Sequence, residues 1–119
     1  MTEKLSAAQL RRIDEIQQFQ RSVQLIKKWV GELDSNRAAK TSIISGITTT
    51  IARELSHLRQ RALTSSVASL ADVAGALSVL ASRTGGLQVK IRGLQEGVTS
   101  MEMQLDQALN MARKPPTPT

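Results

Sequence analysis

The chain has 119 residues, sixteen Lys and Arg against ten acids for a formal net charge of +6, one Trp, one Phe, and no Tyr or Cys. So few rings mean that a core has to be built from Leu, Ile, Val and Ala, which favours helices packed along narrow apolar stripes over a sandwich or a sheet-based enzyme. The absence of cysteine excludes a disulfide framework, a thiolate metal site and a cysteine nucleophile.

The N-terminal segment MTEKLSAAQLRRIDEIQ lacks the apolar run of a secretory signal and carries acids that a mitochondrial presequence usually lacks. The default location is therefore cytoplasmic, with residues 1–5 flexible. Helix 1 is expected over residues 6–33. Ser6-Ala-Ala-Gln9 has the spacing in which a cap hydroxyl and a third-position amide satisfy each other's backbone donors. Leu10, Ile13, Ile16, Phe19, Val23, Ile26, Trp29, Val30 and Leu33 then recur at three- and four-residue steps. Trp29-Val-Gly31 resembles the Trp-x-Gly of the small secreted WXG helical-hairpin family over these three residues alone. In that family the tripeptide lies in the turn between two helices, whereas here it precedes the expected turn, so Trp29 reads as an apolar anchor of helix 1.

Asp34-Ser-Asn36 marks a helical hairpin turn at residues 34–37, because short polar side chains compete for backbone hydrogen bonds and cap helices. The next segment carries Ile44, Ile47, Ile51, Leu55 and Leu58 at helical steps, although Gly46 and the β-branched run Ile47-Thr-Thr-Thr-Ile51 weaken its intrinsic helicity. From Leu63 a heptad begins: Leu63, Ser66, Leu70, Val73, Leu77, Leu80, Thr84, Leu87, Ile91, Leu94, Val98, Met101, Leu105, Ala108. Ser66 and Thr84 read as polar interruptions of its core. The phase is unbroken across Gly85-Gly86, which fall at outward positions, so a long helix 2 is expected over residues 38–112, with a coiled-coil region at 63–108. The alternative is a turn at Gly85-Gly86, with a break at 84–86 and a monomeric three-helix bundle. Residues 113–119, rich in Pro and Thr, should be disordered, and Thr117-Pro118 matches the minimal proline-directed phosphorylation pattern, common in such tails. Leu63 to Ser82 holds one charge, Asp72, but its hydroxyls, Gly75 and that carboxylate argue against a membrane span.

The expected fold is all-α: an N-terminal helical hairpin leading into a long heptad-patterned helix, an oligomeric coiled coil or helical bundle. Leu70, Val73, Leu77, Leu80, Leu87, Ile91, Leu94, Val98, Met101 and Leu105 are the expected oligomerisation residues, because a single chain cannot bury a stalk seam alone. His57 is the only histidine and the acids are scattered, so no catalytic residue, metal, cofactor or small-molecule substrate is expected. Eleven of the sixteen bases precede residue 62. Arg53, His57 and Arg61 share one stripe, and Lys27, Lys28, Arg53 and Arg61 are the candidate polyanion contacts, set against a plainer reading as solvated helix backs. The preferred function is a non-enzymatic homo-oligomeric scaffold or adaptor that docks a protein partner. The alternatives are a basic virion or nucleoid protein that contacts nucleic-acid phosphates, and a secretion chaperone or subunit of a helical hetero-complex. Anionic membrane surfaces are a less favoured partner.

Overall fold

A computed structural model describes residues 5–114; the expected phosphorylation dipeptide, most of the Pro/Thr tail and the first four residues lie outside that range. Helix α1 (Ala7–Ser35) begins at the cap. Ser6 Oγ accepts from the Gln9 N–H at 3.1 Å, and the Ser6 N–H donates to Gln9 Oε1 at 2.8 Å. Its stripe buries Ile16, Phe19, Val23, Ile26, Val30 and Leu33. Trp29-Val30-Gly31 lies inside α1 with Trp29 half-buried against the core, so the tripeptide forms no turn. The helix ends where Asn36 donates through Nδ2 to the Glu32 carbonyl at 2.7 Å and Arg37 pairs with Asp34 at 2.7 Å.

Helix α2 (Thr41–Leu63) forms in spite of its β-branched run. Thr48 and Thr50 donate to the carbonyls of Ser45 and Gly46, at 3.1 and 2.9 Å, which keeps their hydroxyls bonded within the helix. Ile51, Leu55 and Leu58 are fully buried. Removing each from water contributes about 1.5–3 kcal/mol, enough to outweigh propensity deficits of less than 1 kcal/mol per residue.

The single helix expected over residues 38–112 is in fact three: α2, α3 (Ser69–Ser82) and α4 (Leu87–Arg113). The longest extent of the molecule is 59 Å, whereas an unbroken helix of that span would run about 110 Å. The first break has a local cause. At residues 64–68, Ser65 Oγ donates to the Ala62 carbonyl at 2.8 Å and accepts from the Val67 N–H at 3.1 Å, replacing helical backbone bonds. Ser66 is then held by Glu15, whose Oε1 accepts from its N–H at 3.1 Å and its hydroxyl at 2.7 Å. At Arg83–Gly86 the chain turns, with Gly86 at the N-cap of α4. Ser66 and Thr84 are thus exposed loop residues and not polar core positions.

Folding back at both places gives four helices in which α1 packs on α2 and α4, and α3 packs on α2 and α4. Rising residue numbers meet falling ones at Gln20–Asp106 and Gln24–Glu102 along α1/α4, at Ser56–Ser78 and Arg59–Gly75 along α2/α3, and at Leu77–Gly97 and Leu80–Gly93 along α3/α4, so these neighbours run antiparallel. This is an up-down-up-down bundle around one apolar core. Helices α3 and α4 approach closely because Gly93 and Gly97 leave grooves for Leu80 and Leu77. A Cβ at Gly93 would stand 2.6 Å from Leu80 Cδ2, and one at Gly97 would collide with the Leu77 side chain. No helix among the described residues is long and apolar enough to cross a membrane.

Candidate interaction surfaces

The ten residues expected to join copies are spent inside one chain. Leu70, Leu77, Ile91, Leu94, Val98, Met101 and Leu105 are buried, and Val73, Leu80 and Leu87 are half-buried against the same core. The heptad stripe that would have been bare on a straight helix is covered by the α3–α4 hairpin closing on itself and on α1 and α2. The physical reason for an exposed seam is thereby removed, and these residues are the core of the bundle.

The four candidate polyanion contacts do not converge. Lys27 Nζ lies 3.3 Å from Glu102 Oε2, on the side of α1 that meets α4. Arg61 turns the other way: its Nη2 donates to Ser22 Oγ at 2.6 Å and its guanidinium sits 5.5 Å from the centroid of the Phe19 ring. Both are thus engaged between helices, while Lys28 and Arg53 stay exposed without converging on them. His57 lines a shallow surface cleft with Ser22, Glu54, Gln60 and Arg61, and no group of metal-ligating side chains forms among the described residues.

Two other surfaces have definite shape. The first is the α1/α4 seam, bridged by Gln20–Asp106, Gln24–Glu102 and Lys27–Glu102. On either side of the Lys27–Glu102 pair lie two small clefts of about 250 Å³ each. One is floored by Val23 and Leu105, the other by Val30 and Val98 beside the bare backbone of Gly31. Gln24 and Glu102 face each other across this seam. One residue further on, each helix turns by about 100° to the same outer side of an antiparallel pair. Those residues are Leu25 and Met103, which remain 44% and 59% exposed.

The second is a cleft of about 510 Å³ at the end of the bundle where α3 stops short and α2 continues past it. It is lined by hydroxyl side chains of Thr41, Ser45, Thr48, Thr49, Ser82 and Thr84 together with Arg83 and Lys90, and by no acid. Lys90 Nζ donates to the Arg83 carbonyl at 2.6 Å, which fixes the ammonium over the loop. Neither surface was singled out by sequence spacing, since Leu25, Met103, Arg83 and Lys90 belong to two different helices and a loop. Comparison of the chain with protein-family models, with curated proteins and with solved structures finds no match.

Proposed function

We propose that this chain is a non-enzymatic helical-bundle module that acts by binding, as a scaffold or adaptor for a protein partner. The observation that supports the reading is the outer surface of the α1/α4 pair: apolar-floored clefts with polar rims along the seam and, on the outward faces of the two helices, the exposed side chains of Leu25 and Met103. Exposed apolar side chains next to polar rims are how helical modules receive a partner. Replacing Leu25 and Met103 together by Asp should weaken capture of a specific partner by about tenfold or more, as loss of central apolar contacts does. The thermal midpoint should move little, because both side chains face solvent. If the partners recovered by wild type and double variant are the same, the adaptor reading of this seam is wrong.

A second reading, phosphate-directed binding of nucleic acid, is favoured by one observation, the acid-free cleft with Arg83 and Lys90. On this reading a short duplex is retarded at low salt and released towards physiological salt. The variant Arg83→Gln/Lys90→Gln should weaken retardation more than Lys27→Gln/Arg61→Gln, since Arg83 and Lys90 share a cleft that holds no acid, whereas Lys27 is paired with Glu102 and Arg61 is hydrogen-bonded to Ser22. Equal effects, or no retardation at low salt, would remove this reading.

A further inference from the structure

A hairpin has no need to keep the heptad in phase across its turn, yet Leu70 to Leu105 run in one phase through Arg83–Gly86. Nor does the turn use the freedom that two adjacent glycines bring. Neither glycine has a positive φ, Gly86 sits at φ −59° and ψ 124°, nothing lies within 4 Å of a Cβ added at Gly85, and one added at Gly86 would meet only Val89 Cγ2 at 4.0 Å. Alanine would fit both positions of the turn as it stands. What the glycine pair does change is the cost of making residues 83–86 helical.

We propose that α4 exchanges between two copies of this chain: Arg83–Gly86 straighten, α3 and α4 become one helix over residues 69–113, and α4 of each copy packs on α1 and α3 of the other. The inference concerns self-association and stands apart from the adaptor reading. Every contact α4 makes in the closed chain can recur between copies, including Leu77 against Gly97, Leu80 against Gly93 and Gln24 with Glu102. The closed and exchanged forms then differ mainly at the hinge, as in domain swapping generally. The unbroken heptad phase is what allows one straight helix to present both stripes correctly, and the glycines hold the balance towards the closed hairpin.

The test is to refold wild type, Gly85→Ala/Gly86→Ala and Gly86→Pro at high concentration and to measure mass by light scattering. Four glycines become alanines in each dimer, so the double variant should dimerise nearly a thousandfold more tightly than wild type, at about tenfold per 1.4 kcal/mol and about 1 kcal/mol per glycine. Gly86→Pro should stay monomeric, because its φ suits the turn and proline is excluded from a helix interior. Spin labels on Asp72→Cys and Met103→Cys, in labelled chains diluted with unlabelled ones, read the hinge directly. The antiparallel hairpin places these positions at similar levels, whereas the straight helix separates them by about 46 Å. A tight dimer with the labels far apart supports exchange; a dimer with the labels close together, or a double variant no more dimeric than wild type, overturns it. Should the double variant misfold, Gly85→Ala alone must still tighten dimerisation by about thirtyfold.

Discussion

Leu94→Asp should leave the chain largely unfolded in water, with loss of helical circular dichroism even at low temperature. Leu94 is 0% exposed at the middle of α4. Deleting a buried leucine side chain costs about 2–5 kcal/mol, and an unpaired buried carboxylate adds a further several kcal/mol of desolvation. A domain of this size has only about 5–15 kcal/mol to lose. Had Leu94 lain on a seam between copies, the same change would have produced a folded, helical, dissociated chain. A urea titration followed by circular dichroism separates the two: a cooperative transition of normal amplitude at half the mass would show that the intramolecular core has been misassigned. Val89→Asp, on the same helix but 73% exposed, should shift stability by no more than about 0.5 kcal/mol.

Two glycine-to-alanine changes should move stability in opposite directions, although both lie in helix interiors. Gly31 of α1 has nothing within 4 Å of an added Cβ. Alanine there should stabilise by about 1 kcal/mol through propensity alone. At Gly97 of α4 an added Cβ collides with the Leu77 side chain, which is itself only 7% exposed and has little room to withdraw. Overpacking of this kind costs about 1–3 kcal/mol, so the net effect of Gly97→Ala should be a loss of about 1 kcal/mol after the propensity gain is taken off. Thermal midpoints should therefore rise by roughly 4 °C for Gly31→Ala and fall by a similar amount for Gly97→Ala. A midpoint raised by both changes would mean that Leu77 repacks freely and that the α3–α4 contact is loose.

Much of the local structure was legible in the residues. The Ser6–Gln9 cap, the stripe from Ile16 to Leu33, and the polar residues closing α1 act within a few positions of one another, and local interactions of that kind are visible in the order of the chain. The break at residues 64–68 was also signalled, by Thr64-Ser65-Ser66, but Leu63 and Ser66 fit the heptad register and that pattern masked the turn chemistry. In the structure Leu63 is 51% exposed and Ser66 is captured by Glu15, fifty-one residues away. No local rule could supply that partner. The basic residues show the same limit: Lys27 and Arg61 read as free cations until Glu102, Ser22 and Phe19 are brought beside them.

The sequence by itself determined that this protein is helical and which apolar side chains are mostly removed from water, because periodicity and burial are both read from the spacing of apolar residues, although Leu10 and Leu63, marked by the same spacing, are exposed. Leu70, Leu77, Ile91, Leu94, Val98, Met101 and Leu105 are buried in the fold as the heptad required. What only the tertiary structure decided is against what they are buried. A heptad stripe fixes that a helix needs a partner, but the stripe is equally well covered by a second copy or by the same chain folded back. In the structure the same chain covers it, with Leu77 in the groove at Gly97 and Leu80 at Gly93, an α3–α4 pairing that needs the chain to turn between them and that the spacing of apolar residues alone does not specify.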